Sequence, residues 1–109
     1  MTADQEGGYG AAAQVLATGA TGVFCHNDRT ALGLYDALRE SGKRVPDDIS
    51  VVGFDNQEVI SAHMHPALTT VGLPQYDLGV MGVRTLLRRC GADNDESEIV
   101  SERFKPVRV

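Results

Sequence analysis

Two short apolar runs constrain this chain more than any other feature. Val23-Phe24-Cys25 and Ile49-Ser50-Val51-Val52-Gly53-Phe54 are nearly continuous in apolar character, and each is soon followed by an Asn/Asp pair, Asn27-Asp28 and Asp55-Asn56. Strands of this composition read as covered on both faces, the usual state of central parallel strands. A parallel pair needs a crossover, normally a helix. The intervening segment supplies one: Ala31, Leu34, Tyr35 and Leu38 recur at helical spacing between Arg29 and Ser41. Gly42 closes that helix, and Lys43 and Arg44 suit the negative end of its dipole.

The alternation extends in both directions. Tyr9, Ala12, Ala13 and Leu16 mark one face of a helix over 5–17, with Gly7, Gly8 and Gly10 weakening its first turn and Gly19 a left-handed stop. Beyond Phe54 the pattern predicts a short helix over 58–62 and a loop at His63-Met64-His65-Pro66. A third strand over 68–71 follows, then a helix opened by Pro74 and running through Cys90 to a stop at Gly91. Leu78, Met81, Val83, Leu86 and Leu87 give this last helix a broad apolar face. The acidic stretch 92–98 reads as a solvated loop and 99–104 as a final strand. The order α-β-α-β-(α)-β-α-β is that of an α/β three-layer sandwich with a mostly parallel sheet.

Composition excludes several classes. At 109 residues the chain can bury a core, and 42% hydrophobic with 23% charged residues is ordinary for a globular protein. Ten basic against fifteen acidic side chains give a net charge of −5, which argues against this segment gripping a nucleic-acid backbone. No apolar run approaches the ~20 residues that span a bilayer. The opening MTADQEGG has neither the basic nor the apolar region of a signal peptide. Two widely separated cysteines make no disulfide framework, so a reducing cytoplasm is the expected location.

In open α/β sheets ligands bind outside the carboxyl ends of the strands, which makes Asn27 and Asp55 the candidate binding residues. Helix capping and turn formation are the competing roles for both, and Asp28 is read as the helix cap. Cys25-His26-Asn27-Asp28 brings a thiol, an imidazole and an amide together in sequence. Adjacent strand residues point to opposite faces, however, so a buried cysteine is the ordinary reading. His63 and His65 lack a third ligand nearby, and Asp93-Asn94-Asp95-Glu96 lacks calcium-loop spacing; neither calls for a metal. No cofactor is expected. A small α/β enzyme built on Cys25 or the His63/His65 pair is the rival from another class.

The segment Val23-Phe24-Cys25-His26-Asn27-Asp28-Arg29-Thr30-Ala31-Leu32-Gly33 resembles the V-F-x-x-N-D-x-x-A-L-G stretch of lactose/galactose-repressor-type transcription regulators. Ala37-Leu38-Arg39-Glu40-Ser41-Gly42, Val45 to Asn56, and His65-Pro66-Ala67-Leu68-Thr69-Thr70-Val71 follow at the spacing of that family. The resemblance covers roughly residues 6–105 and implies the carboxyl-terminal effector-binding part of such a regulator, a partial type I periplasmic-binding-protein-like lobe. It implies that residues 1–73 form that lobe and that 74–109 cross to the other. The DNA-binding headpiece is absent from this sequence, and DNA is reached only through it.

The same resemblance implies that Asn27 and Asp55 hydrogen-bond a sugar or a related small effector. It also implies a homodimer, with Leu32, Tyr35 and Arg39 as candidate contacts, although a simple sheet-packing helix accounts for the same stripe. One departure stands out: Leu73 occupies a place where the family often has glutamine, which implies a less polar site. A periplasmic-type sugar-binding protein is the alternative within this fold.

Overall fold

The computed structural model describes residues 2–92 and 107–108. The elements are α1 (Gln5–Ala17), β1 (Gly22–Phe24), α2 (Asp28–Glu40), β2 (Ser50–Val52), α3 (Glu58–Ser61), β3 (Val71–Gly72), α4 (Gln75–Leu87) and β4 (Val107–Arg108). The acidic run 93–96 and the strand expected over 99–104 lie outside the described residues. Two compact units divide the chain, Met1–Gly72 with Arg108–Val109, and Leu73–Val107.

In the first unit β1 and β2 pair in parallel, with Gly22 opposite Ser50, Val23 opposite Val51 and Phe24 opposite Val52. Parallel bridges from Val52 to Thr69 and from Asp55 to Gly72 add the third strand. That strand is regular only at Val71–Gly72, later than its apolar pattern predicts. The reason is local: the Leu68 amide donates back to the Ser61 carbonyl, closing the turn after α3. The second two-stranded sheet pairs β3 with β4.

The α/β class and the parallel sheet are as expected, but β1 is not covered on both faces among the described residues. Val23, Cys25 and Val51 point into one core with Ala31, Leu34, Tyr35 and Leu38 of α2. Phe24, on the opposite face, is 65% exposed and meets Phe54 edge to face, with ring centroids 6.4 Å apart. The two-residue period of a strand separates these neighbours, and a run of three apolar residues cannot reveal which face lacks a cover.

Helix α1 corrects its expected stripe. Gly7, Gly8 and Ala12 are its buried residues, whereas Tyr9 is 46% exposed and its hydroxyl donates to Glu40. Gly8, one of the glycines that weaken the helix in isolation, is what lets it approach α2. A Cβ on Gly8 would lie 1.9 Å from the Thr30 carbonyl oxygen, and one on Gly33 would lie 1.8 Å from that of Gln5. The two helices therefore meet backbone against backbone, and Asp4 caps α1 by accepting from the Gly7 amide. Gly19, at φ 71°, stops α1 as predicted.

In the second unit Pro74 precedes α4 and accepts from the Leu78 amide. The helix ends at Leu87, and a wider turn over Arg88–Ala92 places Gly91 at φ 87°. Leu78, Val83, Leu86 and Leu87 are all exposed.

Candidate functional site

The site is built on a sharp corner where the chain leaves β2. Asp55 and Asn56 both adopt positive φ, 98° and 55°. Asp and Asn tolerate this region better than other side-chain-bearing residues, which is why this pair can end the strand so abruptly. Three consecutive backbone amides of the corner are anchored. The Asp55 amide donates to the Val71 carbonyl at 2.8 Å, and the Asn56 amide to Thr70 Oγ1 at 3.4 Å. The Gln57 amide donates to Asp28 Oδ2 at 2.7 Å. An unfavourable backbone persists where the surroundings over-determine it, and here they do.

The corner presents the Asp55 carboxyl in two unequal halves. Its Oδ2 accepts from Gln57 Nε2 at 3.2 Å, while Gln57 Oε1 in turn accepts from Arg29 Nε at 3.4 Å. Its Oδ1 is buried and has no partner among the described residues. Burial pushes the Asp55 carboxyl above the ordinary carboxylate value, and the Gln57 side-chain hydrogen bond opposes that rise. A buried acceptor without a partner costs free energy of about 1–3 kcal/mol. A ligand hydroxyl or amine would recover it.

Asn27 sits at the carboxyl end of β1, as the sequence predicts, and it rather than Asp28 is the cap of α2. Its Oδ1 accepts from the Thr30 amide at 2.8 Å and from the Thr30 hydroxyl at 2.9 Å. Its Nδ2 donates to the Ala3 carbonyl at 2.9 Å, which leaves one amide hydrogen uncommitted in these bonds. Asp28 is instead fully buried, accepting from Gln57 and from the Thr70 hydroxyl at 2.6 Å. Its identity as a cap fails because the helix begins one residue earlier than the apolar spacing indicates. Gln57 and Thr70 were missed altogether: a polar residue in a loop or strand carries no local sign that it will meet a carboxyl group 29 or 42 positions away.

The remaining candidates fall elsewhere. Leu32, Tyr35 and Arg39 come together on a groove of about 220 Å³ shared with Val59, Ile60 and the 63–65 loop. Tyr35 is only 5% exposed and contributes an edge, whereas Val59 is 85% exposed. Cys25 is buried and its thiol is pushed up to about 11, chiefly by desolvation, so thiolate is scarce at neutral pH. His26 is exposed. His63 Nδ1 lies 3.3 Å from the Glu58 carbonyl. Among the described residues no three His, Cys, Asp or Glu side chains cluster as metal ligands, and no helix is long and apolar enough to cross a membrane.

The family described as periplasmic binding protein-like domain matches residues 1–108. The chain belongs to that family. Among curated relatives of this periplasmic binding protein-like chain, the HTH-type transcriptional repressor PurR of Vibrio atlanticus is 42% identical over 80% of the chain and 25% of the repressor. A LacI family transcriptional regulator from Enterococcus faecium, solved with bound ribose, superposes with a TM-score of 0.84 at 37% identity. That match covers 97% of this chain and 38% of the regulator. Another from Arthrobacter sp. FB24, in complex with lactose, gives 0.82 at 28% identity over 97% of this chain and 40% of its own. The chain thus spans about a quarter of the length of the curated relatives it matches, and it corresponds to the effector-binding portion of LacI-type regulators, as its motifs imply.

Proposed function

We propose that this chain is the effector-sensing and dimerisation part of a LacI-type transcription regulator, and that its effector is a sugar or a related polyhydroxylated molecule. The observation that carries the reading is the buried Oδ1 of Asp55, unpartnered among the described residues and held at the carboxyl end of β2 by a strained corner. A carboxyl oxygen in that position accepts a hydroxyl hydrogen bond, and it discriminates strongly against a ligand that leaves it unpaired. Asn27, at the equivalent end of β1, offers its remaining amide hydrogen to the same ligand. The ribose and lactose held by two structural relatives support this class of effector.

In this reading Leu32, Tyr35 and Arg39 form part of a two-fold dimer contact, and the helix after Pro74 belongs to the second lobe of a two-lobe sensor. The regulator acts in the cytoplasm and performs no catalysis; DNA is contacted by a headpiece outside these residues. Effector binding shifts the population of lobe arrangements and so the spacing of the headpieces.

Isothermal calorimetry with ribose and with lactose tests the reading. Binding of either, weakened about 10- to 100-fold by Asp55→Ala, is the expected result, since hydrogen bonds to charged groups contribute about 1.5–3 kcal/mol. Unchanged affinity in Asp55→Ala overturns the site, and no uptake of either sugar overturns the sugar class.

A further inference from the structure

The fully buried Asp28 has no contact with solvent and, by the reading above, none with effector. We propose that Asp28, seated by Thr70, is a positioning residue for the effector site: it fixes the 55–57 corner so that one oxygen of Asp55 stays free for ligand. The inference rests on Asp55 being the binding residue.

Asp28 touches three segments at once. Its own amide donates to the Phe54 carbonyl at 3.1 Å, tying the start of α2 to the end of β2. Its Oδ2 takes the Gln57 amide and its Oδ1 takes the Thr70 hydroxyl. That hydroxyl is itself an acceptor for the Asn56 amide. A single buried carboxyl thus anchors Gln57 directly and Asn56 through one intermediary. Without those two bonds, two residues at positive φ have little reason to remain there. The backbone makes room for this arrangement, because a Cβ on Gly53 would stand 2.3 Å from Asp28 Oδ1.

The consequence for Asp55 is directional. With the Gln57 backbone pinned, its side chain reaches Asp55 Oδ2 and engages only that oxygen. If the corner relaxed to ordinary backbone angles, the Asp55 carboxyl would turn toward water and solvate both oxygens. The site would then lose its preorganised acceptor and bind ligand more weakly, although no group that touches ligand had changed.

Amide hydrogen exchange on the full chain, read by NMR, tests the positioning role without any ligand. Asp28→Ala removes the acceptor for Gln57, and Thr70→Val removes the hydroxyl with little change of shape. The expected result is exchange of Gln57 in Asp28→Ala, and of Asn56 in Thr70→Val, at least ~10-fold faster, while Leu38 in the core of α2 changes by less than ~3-fold. Thr70→Ser, which keeps the hydroxyl, restores the slow rate. A merely structural role would accelerate all these amides together, and that uniform pattern, or no change at Gln57, overturns the proposal.

Ribose titrations of the same variants supply the second arm. Affinity at least ~10-fold weaker in Thr70→Val and regained in Thr70→Ser is expected; faster local exchange with undiminished affinity refutes the link to binding. Should the wild-type chain take up no ribose, the sugar reading is what fails, and the exchange ratio by itself still decides whether Asp28 holds the corner.

Discussion

Alanine at Gly33 should destabilise this protein even though alanine is the better helix former. In an exposed helix interior, Gly→Ala gains about 1 kcal/mol. Gly33 lies inside α2 but faces α1, and an added Cβ would stand 1.8 Å from the Gln5 carbonyl oxygen and 2.8 Å from the Tyr9 amide nitrogen. Both are backbone atoms of a packed helix, so neither can rotate aside. The two helices would have to separate by more than ~1 Å, loosening Ala12 and Ala31 from the shared core. Overpacking costs about 1–3 kcal/mol, and a clash with fixed backbone puts this site at the upper end, about 2–3 kcal/mol, which outweighs the propensity gain.

The expected net loss is about 1–2 kcal/mol, or roughly 4–15 °C in Tm for a chain of this size. Gly10→Ala is the internal control, because Gly10 is also inside a helix but its Cβ would meet nothing within 4 Å. It should raise Tm. Circular dichroism melts and urea titrations of both variants measure the difference. If Gly33→Ala melts at or above wild type, the close helix crossing described here is wrong.

Two further outcomes follow from ionisable groups. Burial raises the Asp55 carboxyl above its ordinary value, so the folded chain holds that proton more tightly than the unfolded one. This stabilisation is fully present below the unfolded value and is lost as pH rises through the raised folded value. Asp55→Asn does not ionise and tolerates positive φ, so its Tm should exceed that of wild type at pH 7, with the gap narrowing as pH falls below the carboxylate range; a gap constant with pH contradicts the linkage. Separately, a disulfide reagent at pH 8 should titrate one thiol of the native chain, the exposed Cys90, and both after denaturation, since Cys25 is buried with its thiol near 11. Equal rates at the two cysteines in the native state would show that Cys25 is not enclosed.

Much of the fold could be read from local pattern. The α2 stripe of Ala31, Leu34, Tyr35 and Leu38 is the buried face of that helix, because helical periodicity and burial against a sheet are the same physical requirement. Gly19 and Gly42 stop helices because each occupies a positive φ just past the last helical turn. Asp55 was legible as a candidate binding residue because ligands of open α/β sheets meet the carboxyl ends of their strands. In the α1 stripe Ala12 is buried and Leu16 packs against the core as expected, whereas Tyr9 was misread for a complementary reason. Hydrophobic spacing credits Tyr9 with burial and treats Gly8 as a defect, whereas two backbones in close contact need the glycine inside and leave the large ring outside.

The sequence by itself determined the alternation of helix and strand and which strand ends carry polar groups, since both follow from pattern within about ten residues; the parallel pairing of β1 with β2 was legible only through the helical crossover between two apolar runs. Tertiary structure alone decided what those polar groups do. Asn27 caps a helix, Asp28 disappears into the interior, and Gln57 and Thr70 become its partners from 29 and 42 positions away. Gly53 and Gly33 acquire their meaning only from atoms that another element brings within van der Waals reach. A hydrogen bond is specified by two partners and a short distance, and only the folded chain supplies that distance.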